Sequence, residues 1–314
     1  MPLKLFLMMN LTLVLLFGFL LGLLAAVGYY FELSGYFMVA MAIFILFIQW
    51  LVGPSIIRWT TNMRPIESGE LGWLRKDVEQ LCKKNKVPAP KLALARSGGP
   101  NAFVFGRTPS SATLVVTQGL LNSLTKEEVK AVVAHEIGHI KHKDMVVMTI
   151  VSAVPVIAYY VARFLVFTPS GRNEKRGVAA ILVGVAAFLV YFVTNLLVLA
   201  LSRLREYYSD RFSGENTNPS LLASALAKIT YGLSVSQKGE NTAARSFFIA
   251  DPLTAASEMS KFSSEYSDFS LSDRELKSAM EWEKTNTFAR ISEFLSTHPL
   301  TFKRIAALRQ MEKE

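Results

Sequence analysis

The chain of 314 residues carries little charge and little cysteine, glycine or proline. Its single cysteine, Cys82, excludes an internal disulfide and suits a reducing compartment, and we interpret it as a buried helix residue. The 18 glycines and 12 prolines are too few for a collagen-like or low-complexity fibre. Charged residues make up 19% of the chain and hydrophobic residues 51%, whereas an ordinary soluble domain is about 25% charged. This composition excludes intrinsic disorder and indicates contact with lipid.

Four long uncharged segments account for the apolar excess: 5–31, 33–57, 145–162 and 177–202. Because a helix needs about 20 residues to cross the hydrocarbon core, the first, second and fourth are long enough to span. The third segment, Met145–Ala162, contains Pro155 and precedes Arg163, which predicts a tilted, kinked or partly protein-buried helix. The first segment is too long for a signal peptide and is followed at once by the second, so the two predict an uncleaved hairpin.

The net charge of +9 is unevenly distributed along the chain. Residues 58–144 hold 14 basic and 8 acidic side chains, whereas residues 203–314 hold 15 of each. Basic residues beside hydrophobic segments match anionic lipid headgroups, so we expect membrane lipid and no nucleic acid as a partner. Lys4, Arg58 and Arg64 flank the first hairpin and predict that both its ends face the cytoplasm. The chain is therefore expected to be a multi-pass protein of the cell membrane, plasma or inner.

The polar parts of the chain predict a mixture of helices and short strands. A helix is expected around 71–81, followed by strands at 91–96, 101–106 and 112–117. The capping box Thr125–Glu128 then opens a helix that runs to His142. After the second hairpin we expect helices at 218–233, 272–283 and 301–311, with a Ser-rich loop or lid at 234–270.

The helix after Thr125 contains the motif His135-Glu136-Ile-Gly-His139. Residues four apart lie on one face of a helix, so the two imidazoles turn towards a common point, as in zinc sites. Glu136 lies to the side, where it can act as general base on a water molecule at the metal. The alternative is a pair of ordinary histidines on an amphipathic helix. His142 lies too far round the helix to join the same metal.

A catalytic zinc needs a third protein ligand, and a carboxylate on a second helix is the economical source. Glu206 and Asp210 lie four residues apart after the last hydrophobic segment, which suggests Glu206 as ligand and Asp210 as acceptor for a ligand histidine. The alternative is an ordinary acidic pair beside neighbouring arginines. His139 and Glu206 can share a metal if the hairpin between them crosses the membrane and returns, or dips in and returns.

At these residues the chain resembles the HtpX family of membrane-bound zinc metallopeptidases, relatives of the CAAX prenyl protease. The shared features, in order, are the N-terminal hairpin, Asn101–Phe103, His135–His139 followed by Asp144, the second hairpin, Arg205–Asp210 and Thr297–Pro299. The resemblance implies one Zn²⁺ per chain held by His135, His139 and Glu206, with Glu136 as general base. It also implies proteolysis of membrane proteins for quality control, often under stress. Ser209, where the family usually has Ala, and a longer connection at 234–296 depart from the pattern.

Three further residues have two interpretations each. Asn101 begins a segment that can capture substrate as an extended chain along an edge strand, or it is a turn residue after Gly-Pro. His298 is a candidate for oxyanion stabilisation or support of the zinc, or it is an ordinary packed or surface histidine. Asp144 is either an outer-shell group of the metal site or a boundary charge at the lipid surface, and the boundary charge is the preferred interpretation.

The sequence therefore predicts an α+β integral membrane protein, predominantly helical, with two hydrophobic helical hairpins and a gluzincin-like zinc peptidase domain containing a small sheet. The expected divisions are the first hairpin at 1–57, a cytoplasmic peptidase part at 58–144, the second hairpin at 145–202 and a helical peptidase part at 203–314. The expected function is zinc-dependent endoproteolysis of misfolded or damaged membrane proteins, with protein substrates and an active site facing the cytoplasm. The alternatives are a catalytically silent scaffold or holdase and a CAAX-type processing protease.

Overall fold

A computed structural model describes residues 3–31, 35–167, 174–236 and 273–313. The helices are α1 Leu3–Phe31, α2 Gly35–Thr60, α3 Gly72–Asn85, α4 Gln118–Ser123, α5 Lys126–Lys141, α6 Asp144–Phe167, α7 Glu174–Asn216, α8 Pro219–Ser236, α9 Asp273–Thr285, α10 Thr287–Phe294 and α11 Thr301–Met311. The strands are β1 Met63–Pro65, β2 Lys91–Ala95, β3 Ala102–Phe105 and β4 Thr113–Thr117. Most of the Ser-rich segment expected at 234–270, and the tips of both hairpins, lie outside the described residues.

The chain divides into two compact units, one of residues 1–53 and 146–204 and one of residues 54–145 and 205–314. The first unit consists of hydrophobic helices. In it, Leu16 packs with Val151, Val154, Val198 and Leu201. A second cluster joins Leu23 to alanines of α6 and α7. Small alanines at these contacts let helices approach closely, as is usual where helices pack in lipid.

Three helices in the described part of the chain are long and apolar enough to cross a membrane. Their candidate spans are Leu5–Ala25, Asp144–Arg163 and Ile181–Asn216, with mean hydropathies of 2.4, 2.1 and 2.4. The span that contains Pro155 has several buried residues on α6, among them Ala153 and Ala158. Residues 35–57 of the second hydrophobic segment also lie on a helix, α2. The described residues of all four hydrophobic segments are thus helical, and the chain is a membrane protein.

The second unit contains a four-stranded sheet of order β1-β2-β4-β3. β2 and β4 are parallel, whereas β1 and β3 are antiparallel edge strands. The central strand β4, with the sequence TLVVT, is buried throughout, as β-branched runs favour. The three strands predicted from the sequence are present, but β1 was missed because it has only three residues and ends in proline.

The core of the second unit lies between the sheet and helices α3, α5, α8 and α11. Leu114 and Val116 of β4 pack in one cluster with Val132 and Ile137 of α5 and Leu226 of α8. Cys82 lies in the same cluster, 2% exposed, and burial raises the pKa of its thiol to about 11, so it is an unreactive core residue. α5, which carries the His-Glu-x-x-His motif, is thereby fixed at the centre of the unit.

Candidate metallopeptidase site

Helix α5 begins at the predicted capping box. The Thr125 side chain accepts a hydrogen bond from the Glu128 main-chain N–H, and the Glu128 carboxylate accepts one from the Thr125 N–H at 2.9 Å. The helix continues through His135 and His139 before His142 ends it. The described residues contain a cluster of potential metal ligands here, because ligand atoms of His135, Glu136 and His139 lie within 4.8 Å of one another.

The two imidazoles face each other through their Nε2 atoms, which are 3.2 Å apart. The other nitrogen of each ring meets a carboxylate: His135 Nδ1 lies 2.9 Å from Asp210 Oδ1, and His139 Nδ1 lies 2.6 Å from Asp144 Oδ2. Because a carboxylate accepts, we assign a proton to each Nδ1, so that in the neutral rings both Nε2 atoms carry the lone pairs that can bind a metal. Two lone pairs directed at each other are the arrangement that a bound cation requires.

Glu206 of α7 lies against the same two nitrogens. Its Oε1 is 3.4 Å from His139 Nε2, and its Oε2 is 3.5 Å from His135 Nε2. The carboxylate is 5% exposed, so its charge is removed from water. The donor set of two imidazoles and one carboxylate suits a divalent transition metal, and these three residues therefore fit the predicted ligand set.

Neighbouring charges and burial act in opposite directions on the titratable groups of α5. Burial alone would lower the pKa of both histidines, but the carboxylates beside them outweigh it and raise the pKa of His135 and, more strongly, of His139. Burial raises the pKa of Glu136, which is 4% exposed. The carboxylates around the two histidines thus favour a positive charge on the rings. The Glu136 carboxyl group, on the same helix, has a higher pKa than a glutamate on the surface.

Arg304 of α11 is the residue that the sequence analysis missed. Its side chain is 1% exposed and forms a bidentate pair with Asp210, with distances of 2.8 and 2.6 Å. Its third nitrogen, Nη1, lies 3.1 Å from Glu206 Oε2. Arg304 therefore bridges the carboxylate behind His135 and the carboxylate predicted as third ligand. The only signal in the sequence is its distance of six residues from His298, which is too weak to be read without the fold.

The structure contradicts the preferred interpretation of Asp144 as a boundary charge. Its side chain is buried, contacts His139, and accepts a hydrogen bond from Arg205, whose Nη2 also donates to the His142 carbonyl at 2.6 Å. A charge at the lipid surface would be solvated instead. Asp144 belongs to the outer support of the imidazole cluster because the turn at the end of α5 brings it back under His139.

The remaining predicted residues have defined positions. His298 Nδ1 lies 3.2 Å from Glu206 Oε2, so the structure brings His298 to the imidazole cluster. Asn101 is buried just before β3, where its main chain is bonded to Thr117. Ser209 lies 3.0 Å from His139 Nδ1 through its hydroxyl oxygen. His142 packs its ring against Tyr208 and Phe212, away from the paired Nε2 atoms.

Fold and site together define a membrane-embedded metallopeptidase with protein substrates. The sequence model of the family described as Peptidase family M48 matches residues 69–312. This range includes every residue of the site. The chain belongs to peptidase family M48, as its resemblance to the HtpX proteins predicted.

Two of the similar proteins are both named "Protease HtpX homolog". The chain is 43% identical to the "Protease HtpX homolog" of Methanothermobacter thermautotrophicus, over 75% of this chain and 90% of the relative. It is 32% identical to the protein of that name from Pyrococcus furiosus, over 96% of this chain and 95% of the relative. The crystal structure of S. mikatae Ste24p shares the fold, with a TM-score of 0.53 and 19% identity over 98% of this chain and 67% of that one. The predicted family, fold class and protease activity are thus confirmed.

Proposed function

We propose that the chain is a zinc-dependent endopeptidase that binds one Zn²⁺ through His135, His139 and Glu206. The observation that carries this proposal is the pair of facing Nε2 atoms, 3.2 Å apart, with the Glu206 carboxylate against both. Bound at these ligands, Zn²⁺ supplies a Lewis acid that polarises the scissile carbonyl and acidifies water. Asp210 and Asp144 hold the two rings in the tautomer that ligation needs.

Glu136 acts as the general base in this proposal. Its carboxylate takes a proton from the attacking water and passes it to the leaving amine, so no covalent intermediate is required. The burial that raises its pKa makes it a better proton acceptor than an exposed glutamate. A group of this kind contributes about 10²–10⁴-fold to rate.

His298 and β3 complete the proposed site on the substrate side. His298, whose Nδ1 lies 3.2 Å from Glu206 Oε2, would donate to the developing oxyanion of the scissile bond. β3 lies at the edge of the sheet formed by the described residues, so an extended substrate segment would be taken up along it as an added strand. In this arrangement Asn101 would contact the substrate at the start of β3.

We infer that the substrates are misfolded or damaged membrane proteins and that the site faces the cytoplasm of a multi-pass protein. The support for the orientation is the basic excess of residues 58–144, together with Lys4, Arg58 and Arg64 around the first hairpin. An impermeant thiol reagent tests it: an Arg309→Cys variant should react in inverted vesicles and stay unreacted in right-side-out vesicles. The reverse pattern would refute the orientation.

The activity is tested by Glu136→Gln, which removes the base and keeps its shape. Metal-free wild-type and variant proteins are incubated in detergent with casein, with and without added Zn²⁺. Zinc-restored cleavage by the wild type alone is the expected result, with equal zinc binding by both proteins. Cleavage by the variant at the wild-type rate would remove Glu136 from the mechanism, and zinc binding without cleavage by either protein would favour a silent scaffold.

A further inference from the structure

Helix α10 exposes large apolar side chains although it belongs to the polar, peptidase-bearing unit. Phe288, Ile291, Phe294 and Leu295 are 63%, 58%, 65% and 64% exposed, whereas Ala289 on the opposite face is buried. Since successive helix residues are separated by about 100°, the four exposed side chains fall on one face covering about a third of the circumference. We call this set, Phe288, Ile291, Phe294 and Leu295, the α10 apolar face.

Exposed large apolar residues are otherwise rare in this unit. Among the residues of 54–231 outside 146–204, and of 277–313, the other large apolar side chains that are exposed are Ile56 and Trp59, near the end of α2. Ile56 lies at the end of the hydrophobic segment 33–57, and Trp59 lies two residues beyond it. Contact with lipid therefore explains their exposure. The α10 apolar face lies in no such segment and needs its own explanation, because contiguous exposed apolar surface marks an interaction site.

Charged side chains lie around the α10 apolar face. Arg290 is exposed at its edge. Lys284, 60% exposed, lies just before the helix on α9, where it forms an ion pair of 3.5 Å with the exposed Glu281. Glu293, the one acid of α10, is turned inwards: its side chain is 14% exposed, and its oxygens meet Lys303 Nζ and the Leu300 main-chain N–H. An apolar face that has the exposed Arg290 at its edge and the acid of its own helix turned away from solvent is complementary to an anionic lipid surface.

We propose that α10 is an interfacial helix, whose apolar face lies in the headgroup boundary of an anionic bilayer. A bilayer is available as the partner, because the described part of the same chain contains three helices that are long and apolar enough to cross a membrane. With eight residues, α10 is about 12 Å long, so it orients the unit at the lipid surface and does not anchor it.

This contact would act on the site through the segment that follows α10. Glu293 holds the Leu300 N–H, and Ser296 Oγ accepts from the His298 N–H at 3.1 Å. The segment between α10 and α11 is therefore tied to α10 and carries His298 to within 3.2 Å of Glu206. Seating α10 in the headgroups would hold the mouth of the site beside the bilayer, where segments of membrane proteins emerge.

Spin labelling of the full chain in nanodiscs tests the proposal without reference to proteolysis. A nitroxide is attached at Ile291→Cys and, as a matched control, at Glu281→Cys on α9, where the native side chain is 64% exposed. The buried Cys82 does not compete for the label. Power saturation compares collisions with oxygen, which partitions into lipid, and with nickel-EDDA, which stays in water. The discs contain phosphatidylcholine and phosphatidylglycerol in equal amounts.

The expected result is an oxygen-to-nickel accessibility ratio at 291 several-fold above that at 281, and a fall in this ratio in discs of phosphatidylcholine alone. A ratio at 291 equal to that at 281 would place α10 in water and overturn the proposal. Low accessibility of 291 to both reagents would also overturn it, because the apolar face would then be covered by protein, either residues 237–272 or a second copy of the chain. A ratio that ignores lipid charge would refute the role of Arg290.

Discussion

The two imidazoles of the site have the same kind of support from different parts of the chain. Behind His135 stand Asp210 and then Arg304, and behind His139 stand Asp144 and then Arg205. The His139 support is local to the end of α5 and the start of the polar part of α7. The His135 support comes from α7 and α11, with Asp210 and Arg304 separated by 94 positions.

The two supports also differ in burial and in reach. The His135 side chain is 2% exposed and the His139 side chain 15%. Arg304 contacts both Asp210 and Glu206, whereas Arg205 contacts Asp144 and a main-chain carbonyl. Arg304 therefore contacts the third predicted ligand, Glu206, as well as the carboxylate behind His135, whereas Arg205 contacts the carboxylate behind His139. The support of His135, which α11 completes near the end of the chain, therefore contacts more of the candidate site than the support of His139 does.

The largest difference is expected between Arg304→Met and Arg205→Met. Loss of Arg304 leaves Asp210 and Glu206 as buried, less compensated charges, so zinc affinity should fall by about 10–100-fold, the range for outer-shell partners. Loss of Arg205 should cost less, because the carboxylate that it is seen to contact, Asp144, lies behind His139 and is not itself a predicted ligand. Competition with a chromophoric chelator measures both affinities.

Arg304→Lys separates charge from geometry in the same measurement. Lysine keeps the positive charge but cannot form the bidentate pair with Asp210, so the weaker zinc binding should persist. Wild-type zinc affinity in Arg304→Lys would show that the charge of Arg304 matters and not its bidentate pair with Asp210. An equal loss of zinc affinity in Arg304→Met and Arg205→Met would show that the two supports do not differ. Thermal unfolding of each variant shows whether the fold is retained.

A second effect, on the stability of the fold, is expected at the tight contact of α5 with α7 at Gly138 and Ser209. A Cβ added to Gly138 would lie 3.0 Å from Ser209 Cα and 3.2 Å from its Cβ, so Gly138→Ala must push the two helices apart. Overpacking of this kind costs about 1–3 kcal/mol in the free energy of unfolding. Chemical denaturation of the metal-free protein in detergent measures it.

The matched control is Gly72→Ala on α3, where an added Cβ meets nothing within 4 Å. That variant should change stability by less than about 0.5 kcal/mol. If Gly138→Ala were as harmless as the control, the close approach of α5 and α7 would not constrain the site.

The smallest effect concerns Glu128, on α5 but outside both supports. Burial alone would raise the pKa of Glu128, but hydrogen bonds from Lys228 and Ser224 outweigh it and leave that pKa below its usual value. Because the folded pKa lies below the unfolded one, this carboxylate stabilises the fold above the unfolded pKa of about 4.3. The contribution is lost as the pH falls through the folded pKa.

Glu128→Gln should therefore lose about 1 kcal/mol of stability at neutral pH and show a flatter fall of stability towards acid, with zinc affinity unchanged. Denaturation midpoints measured across acidic and neutral pH check this expectation. A variant with the same acid dependence as the wild type would show that the pair with Lys228 does not contribute.

Much of this architecture is predictable from the sequence because its signals are local. Hydrophobic runs located the four long helices, and the capping box located the start of α5. The four-residue spacing of His135 and His139 predicted, without knowledge of the fold, that both imidazoles face the same point. β1 was missed because three residues carry no periodicity.

The outer support of the site was only partly predictable, because it depends on contacts between distant elements. Asp210 was recognised as a partner for a ligand histidine, since it lies four residues from Glu206 on one helix face. Arg304 was not, because one arginine on an amphipathic helix is ordinary until α11 is packed against α7. The preferred interpretation of Asp144 as a boundary charge was wrong. Its position beside a hydrophobic segment suggested a place at the lipid surface, and the sequence did not show that the turn after α5 brings it to His139.

The most direct test of the account is the zinc content and coordination of the full-length protein in detergent, for the wild type and Glu206→Gln, by elemental analysis and X-ray absorption. The account predicts one zinc per wild-type chain with two imidazole ligands, and loss of zinc from the variant under dialysis that leaves the wild type loaded. Retention of zinc with unchanged coordination in Glu206→Gln would contradict it, because the carboxylate that lies against both imidazoles would then not hold the metal.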